Sequence, residues 1–256
     1  MLGAVAGDIV GSVFEWANVK TTDFDLFSPK SDFTDDSVLT MATMDALLNQ
    51  HDYAKAYRLF CRKYPHRGYG GGFGRWAYAD TQKPYNSWGN GSAMRVSPVG
   101  WFGNSLDEVL AEAAKSAEVT HNHPEGIKGA QATAAAVYLA RTGSAKTEIK
   151  KFITDTFGYK LNRKLDDIRP KYKFDVSCQG SVPEAIIAFL ESTDFENAIR
   201  LAISIGGDSD TIACITGGIA EAFYQAIPAT IIDNVLSRLP PELISLITAF
   251  SAKYRG

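Results

Sequence analysis

Apolar residues recur three and four positions apart along most of this chain and rarely alternate. From Thr34 onward, Val38, Met41, Leu47 and Leu48 fall near one face, the spacing of a helix with a single buried stripe. Comparable patterns run over 106–117, 126–140, 182–190, 195–203, 211–226 and 231–236. The stretch 126–140 is rich in alanine, the strongest helix former. Pro240 and Pro241 break the chain, and a last helix is predicted over about 242–253. The opening run MLGAVAGDIVGSVFEW is apolar but lacks a basic leader and carries Asp8 and Glu15, so it reads as a first core helix and not as a signal peptide. Runs of alternating β-branched residues are scarce, which predicts an all-α fold packed as a compact multi-helix bundle. Two stretches resist a smooth helical reading. Residues 68–92, with GYGGGFGRW and SWGNGS, are rich in glycine and aromatics; residues 160–172 are charged, contain Pro170 and read as a solvated connection. No internal repeat, low-complexity tail or boundary interrupts the pattern, so 1–256 reads as a single domain.

Composition narrows the class without naming a function. Of 256 residues, 45% are hydrophobic and 21% charged, ordinary for a globular chain able to bury a large core. Cys61, Cys178 and Cys214 are odd in number, far apart and in no C-x-x-C pair, which argues against a thiolate zinc site and for reduced core thiols of a cytoplasmic protein. No run of about twenty apolar residues is present to span a membrane. A formal net charge of -3 disfavours a general nucleic-acid binder but leaves room for an anionic substrate received by helix N-termini or local cations.

Two acidic clusters stand where helices should begin. FTDDSVLT, 33–40, offers Thr34, Asp35 and Asp36; GGDSDTIACITGG, 206–218, offers Asp208, Asp210 and Thr211. Either alone is the ordinary make-up of a helix cap, in which a side-chain oxygen accepts orphan N–H groups and a negative charge meets the positive end of the dipole. Together they are more than capping requires. Neither has a lysine or arginine close by in sequence, and four carboxylates brought together without cations would repel and raise one another's pKa. Divalent cations resolve that repulsion, and an all-oxygen set suits Mg²⁺, Mn²⁺ or Ca²⁺ better than zinc. Residues two apart do not share a helix face. Asp208 and Asp210 therefore reach one site only if the helix starts between or just after them, with Gly206 and Gly207 supplying the turn.

Other candidates are weaker. GNGSAMRVSPVG, 89–100, offers a glycine turn open to a phosphate, although Asn-Gly is also a routine turn pair. Arg95 is either an anion partner or a surface salt bridge. In THNHPEG, 120–126, His121 and His123 are either a metal pair two residues apart, a plain polar loop, or, for His121, a donor toward a sugar or phosphate. Glu15 is either a surface residue or a buried acid facing metal or substrate. Phe73, Trp76, Tyr78, Tyr85 and Trp88 offer either a stacking wall for a nucleobase or core packing.

Taken in order, GDIVGSVFEW, TDDS, GNGSAMRVSPVG, THNHPEG and GGDSDTIA resemble the ADP-ribosylglycohydrolase family, also called the dinitrogenase-reductase-activating glycohydrolase family. The resemblance runs from residue 3 to about 224. It implies an all-α orthogonal bundle with a pair of Mg²⁺ or Mn²⁺ ions at the base of a cleft. Thr34, Asp35 and Asp36 match one ligand group; Asp208, Asp210 and Thr211 match the other, with one aspartate bridging. Glu15 matches a glutamate at the site entrance, and Glu15, Asp35 and Asp208 are the implied catalytic acids. Asn90, Gly91 and Ser92 match a loop holding the diphosphate and the neighbouring ribose, and His121 matches a ligand-contacting histidine. Some relatives use a further acid from the glycine–aromatic region, where Asp80 is the one acidic residue. The implied reaction is hydrolysis of the bond joining ADP-ribose to an acceptor side chain, arginine foremost, on a protein or small-molecule conjugate. Left open are another ADP-ribose derivative (O-acetyl, serine-linked or nucleic-acid-linked), a non-catalytic ADP-ribose binder, and an unrelated metal phosphoesterase.

Overall fold

Glycines at positions 3, 7 and 11 put three gaps on one side of the first helix, and the fold is assembled around the contact they permit. A Cβ at Gly7 would lie 2.0 Å from the Ala213 carbonyl oxygen, and one at Gly3 would lie 2.4 Å from that of Gly217. Helix α1 (Leu2–Gly11) therefore presses backbone to backbone on α13 (Ser209–Tyr224). This computed structural model describes residues 1–81 and 83–254. Among these, helices account for all the regular structure, with a lone β-bridge between Gly89 and Ser177.

The remaining helices surround that pair. They are α2 (Asp35–Asn49), α3 (Tyr53–Lys63), α4 (Gly71–Tyr78), α5 (Gly91–Met94), α6 (Ser97–Phe102), α7 (Leu106–Glu118), α8 (Pro124–Arg141), α9 (Lys146–Phe157), α10 (Leu165–Ile168), α11 (Cys178–Glu191), α12 (Phe195–Ser204), α14 (Ala229–Leu236) and α15 (Pro241–Tyr254). Helix α13 is buried from Ser209 to Ala222 and packs on α1, α8, α11 and α12, which is why its sequence is apolar all round. Alanines give α8 a slim profile, so it lies against α5, α6, α7, α11 and α13 at once. One continuous apolar core runs from Met1 to Phe250, and all three cysteines are buried in it as free thiols. No helix among the described residues is long and apolar enough to cross a membrane.

The all-α expectation holds, and the predicted helices are present within a few residues of their expected ends. The first is shorter than expected. Helix α1 stops at Gly11, the Ser12 hydroxyl donates to the Ile9 carbonyl at 2.9 Å, and the chain turns so that Glu15 and Trp16 leave the core. Helices α3 and α9 add to the pattern: α3 buries a broad face that includes Tyr53, Tyr57, Phe60 and Cys61, and α9 a narrow stripe of Ile149 and Ile153. Inside the glycine-rich stretch, Phe73, Trp76 and Ala77 keep helical spacing and bury the inner face of α4. The 160–172 connection is less solvated than its charge suggests, because Leu161, Leu165 and Ile168 plug into the core.

Candidate active site

The acids converge because helix starts converge. Thr34 caps α2, its hydroxyl accepting from Asp36 N at 3.3 Å. A second cap arrives from α1. Asp8 Oδ2 accepts from Thr34 N at 2.9 Å and from Ser37 N at 3.1 Å, Thr34 Oγ1 donates to Asp8 Oδ1 at 2.5 Å, and the Ser37 hydroxyl also donates to Asp8. At α13 the turn Gly206–Gly207 has φ +73° at both residues, a left-handed geometry that glycine adopts freely. Helix α13 then begins between the two aspartates, as their spacing requires. Asp208 makes no capping bond and instead accepts from Asn90 Nδ2 at 2.6 Å, while Asp210 Oδ1 accepts from Thr211 N at 2.9 Å.

Two overlapping groups of acids result. Carboxylate oxygens of Asp8, Asp36 and Asp210 lie within 4.8 Å of one another, as do those of Glu15, Asp208 and Asp210. Asp210 belongs to both. Thr211 Oγ1 donates to Asp36 Oδ2 at 3.3 Å, while Asp36 Oδ1 is buried with no hydrogen-bond partner. Burial, reinforced by the Asp210 charge for Asp36, by the Asp8 charge for Asp35 and by the Asp208 charge for Asp210, holds these three carboxyls well above the usual range. Burial raises Asp8 and Asp208 as well, in spite of their hydrogen bonds. Glu15, half-buried, is pushed up to about 7 by burial and then by the Asp208 charge, with a Trp16 hydrogen bond pulling the other way. An orphaned buried oxygen within an all-oxygen donor set under mutual repulsion fits a hard divalent cation.

All of these acids except the fully buried Asp8 line a cleft of about 390 Å³. Thr34, Asp35, Asp36, Asp208, Asp210, Thr211, Glu15, Asn90, Gly91 and His121 all line it. Ser92 does not: it is fully buried and donates to the Gly126 carbonyl at 2.7 Å. Asp80 is exposed beyond the end of α4, outside the cleft. Asn90 is turned toward the acids, its amide shared between Asp208 and Ser181. Of the aromatic residues, Phe73 and Tyr85 reach the cleft, Trp76 packs in the core, and Trp88 is exposed against His123, which caps α8. His121 and His123 thus do not share a site. Arg95 forms no surface salt bridge. It is fully buried, its guanidinium 4.0 Å from the Tyr57 ring, and it donates to Thr120 Oγ1 at 2.8 Å and to Ser116 O.

The Thr120 hydroxyl accepts from Arg95 and also lies 2.7 Å from His121 Nδ1, a contact in which either atom can donate. His121 Nε2 faces the glycine loop, 3.2 Å from where a Gly91 Cβ would stand. Burial, with Arg95 beside it, keeps the ring neutral by lowering its pKa well below the usual value.

Asp8 is the acid that motif reading passed over. In GAVAGDIVG it stands among glycines and apolar residues, with nothing local to tie it to the two acidic clusters.

The family model described as ADP-ribosylglycohydrolase matches residues 1–254. The mouse (Mus musculus) protein named ADP-ribosylhydrolase ARH3 is 27% identical, over 88% of this chain and 82% of its own length. A Pseudomonas putida protein named ADP-ribosylarginine hydrolase Tri1 is 26% identical, over 96% of this chain and 72% of its own. A solved structure described as an ADP-ribosylglycohydrolase-related protein complex superposes with a TM-score of 0.75 at 23% identity, covering 99% of this chain and 95% of that one, and so shares the fold. A match over nearly the whole length shows that the chain belongs to the ADP-ribosylglycohydrolase family of enzymes.

Proposed function

We propose that this protein, acting as one unit over 1–256, hydrolyses the bond between the anomeric carbon of the distal ribose of ADP-ribose and an acceptor side chain, arginine foremost. The observation that carries the reading is the pair of acid triads sharing Asp210, of which all but the buried Asp8 line a cleft walled by a glycine loop. Both relatives named above are called hydrolases of ADP-ribosyl groups, and one name specifies arginine.

Asp36 and Asp210 with Asp8, and Asp208 and Asp210 with Glu15, would hold two Mg²⁺ or Mn²⁺ ions, with Thr34, Asp35 and Thr211 completing the oxygen set. Such ions supply Lewis acidity and a template for ribose hydroxyls. The chain's own residues do the rest. Gly89 and Gly91 leave room for a diphosphate beside His121, whose Nε2 faces that space and would donate to it in the Nε2–H tautomer. The Gly91 and Ser92 N–H groups open α5 and lack helical partners. Asn90 fixes Asp208 through its amide. Glu15 sits at the solvent side of the acids, and a carboxyl near neutrality is suited to take a proton from attacking water, with Asp35 and Asp208 beside it. The anomeric centre gains positive character as the bond breaks, and the surrounding acids favour that charge.

The test is release of ADP-ribose from an arginine-linked conjugate in Mg²⁺, with EDTA, Asp35→Asn and Asp208→Asn as comparisons. Each of the three should abolish turnover. Full activity in both variants would refute the assignment.

A further inference from the structure

One rim of the cleft carries apolar surface that packing does not use. Trp16 is 81% exposed, Val176 53% and Phe174 43%, yet all three line the cleft. The Trp16 and Phe174 rings stack, with centroids 5.1 Å apart and planes 23° apart. A tryptophan that exposed while stacked on one side has its other face open to solvent.

The rim is held firmly. Asn18 Nδ2 donates to the carbonyls of Glu15 and Gly207, both at 2.9 Å, and Gly207 N donates back to Asn18 Oδ1 at 2.7 Å. Lys20 Nζ donates to Tyr172 O at 3.0 Å. From the other side, Asn90 N donates to Val176 O at 2.8 Å. Glu15, the residue before Trp16, lines the same cleft. A fixed, exposed aromatic pair at the mouth of a cleft marks a contact for something outside the chain.

Charge selects that partner. Glu15, Asp208 and Asp210 lie together beneath the rim. Among the described residues lining the cleft, the one cation, Arg95, is fully buried at the His121 end. An open indole face with a carboxylate at its edge suits a planar cation, because a guanidinium stacks on the ring while its N–H groups reach the acid. A serine hydroxyl offers neither charge nor plane.

We propose that Trp16 and Phe174, with Glu15 at their edge, form the acceptor subsite and select a guanidinium leaving group over an alkyl hydroxyl. This rests on the reading of the cleft as an ADP-ribosyl hydrolase. In the reaction so selected, the bond from the anomeric carbon to the guanidinium nitrogen breaks. Water gives its hydroxyl to the carbon and its proton to the nitrogen, so free ADP-ribose and arginine are the products and no further reactant is consumed.

The experiment compares kcat/KM on arginine-linked and serine-linked ADP-ribosyl peptides of matched sequence, for wild type, Phe174→Ala, Trp16→Ala and Trp16→Phe. Binding of free ADP-ribose in Mg²⁺ is measured alongside. Wild type should favour the arginine linkage, and the arginine-to-serine ratio should fall about five-fold in Trp16→Ala, mainly through KM. Phe174→Ala should lower the ratio less, and Trp16→Phe, which keeps a ring face, should retain most of it. Free ADP-ribose, which lacks the acceptor, should bind all four within about two-fold, as expected for contacts made only by the acceptor. A ratio unchanged in Trp16→Ala, or a wild-type preference for serine, would overturn the subsite. Failure of wild type to bind ADP-ribose would overturn the reading of the cleft, and the subsite with it.

Discussion

Replacing Gly7 with alanine tests whether the α1–α13 contact builds the site. The new Cβ would stand 2.0 Å from Ala213 O, 2.3 Å from Ala213 C and 2.7 Å from Cys214 N, all backbone atoms. A carbon and a carbonyl oxygen settle at roughly 3.3 Å or more, so the helices must part by about 1.3 Å. No rotamer can relieve this, because both sides are main chain. The cost belongs at the upper end of the overpacking range, about 3 kcal/mol. Asp8 is the next residue and would move with α1, away from Asp36 and Asp210. A displacement near 1 Å at a reacting centre costs on the order of 100-fold in rate. Gly74→Ala is the control, since a Cβ there meets nothing within 4 Å and an alanine in α4 should stabilise by about 0.5–1 kcal/mol. Urea unfolding gives the stability term, and Mg²⁺ titration by calorimetry reads the acids directly. Gly7→Ala with unaltered stability and unaltered Mg²⁺ affinity would refute the argument.

Three further outcomes are expected. Each buried acid of the site holds its proton more tightly folded than unfolded, so the EDTA-treated protein should lose stability as pH rises above about 4, the ordinary carboxylate range, toward neutrality. Mg²⁺ should offset that loss, and the melting difference between loaded and stripped protein should widen with pH. His121 has the opposite sign: its folded pKa is depressed, so its contribution is present above the unfolded value of 6.5 and is lost as pH falls below it. The loss should approach about 1.4 kcal/mol per pH unit, and unfolding curves of His121→Asn should lack it. Arg163 donates to Glu184 through Nη1 at 2.7 Å and Nη2 at 2.8 Å, and Glu184 is nearly buried. Arg163→Ala should therefore cost about 1–3 kcal/mol in urea unfolding, short of a fully buried pair because the arginine is partly exposed.

The helices were legible wherever a broad apolar stripe marked them, as in α2, α8 and α13. They were obscure where few residues face the core: α9 shows only Ile149 and Ile153 buried amid lysines, aspartate and threonines. The two acidic motifs were legible because their charge exceeds what a cap needs. Asp8 was not, because its partners Thr34 and Ser37 lie on another helix and its neighbours look like plain core. The outward swing of Trp16 was hidden for a similar reason. It follows from Gly11 meeting the Asp210 backbone, where a Cβ would lie 2.5 Å from Asp210 Cα, and no local pattern encodes that contact. The orientation of Ser92 depends on Gly126 arriving from α8, which the loop sequence does not reveal.

The distribution of charge along the cleft follows from what each end must receive. Had the fold neutralised its acids with a lysine, the ammonium would occupy the space between them and close the floor to any sugar. Leaving them uncompensated raises every carboxyl pKa, a standing cost to the folded state. A divalent cation from outside would relieve that cost and leave coordination positions open to other oxygens. Among the described residues lining the cleft, the one cation is kept at the far end, where Arg95 donates to the Thr120 hydroxyl that lies against His121 Nδ1. An elongated ligand with anionic groups in its middle and a cationic acceptor at one tip can lie in this field in one direction only. In the function and acceptor subsite proposed above, its anionic part would lie by His121 and its acceptor by Trp16. The orientation that places the reacting carbon over the acids would then be set by electrostatics before any contact to the base is made.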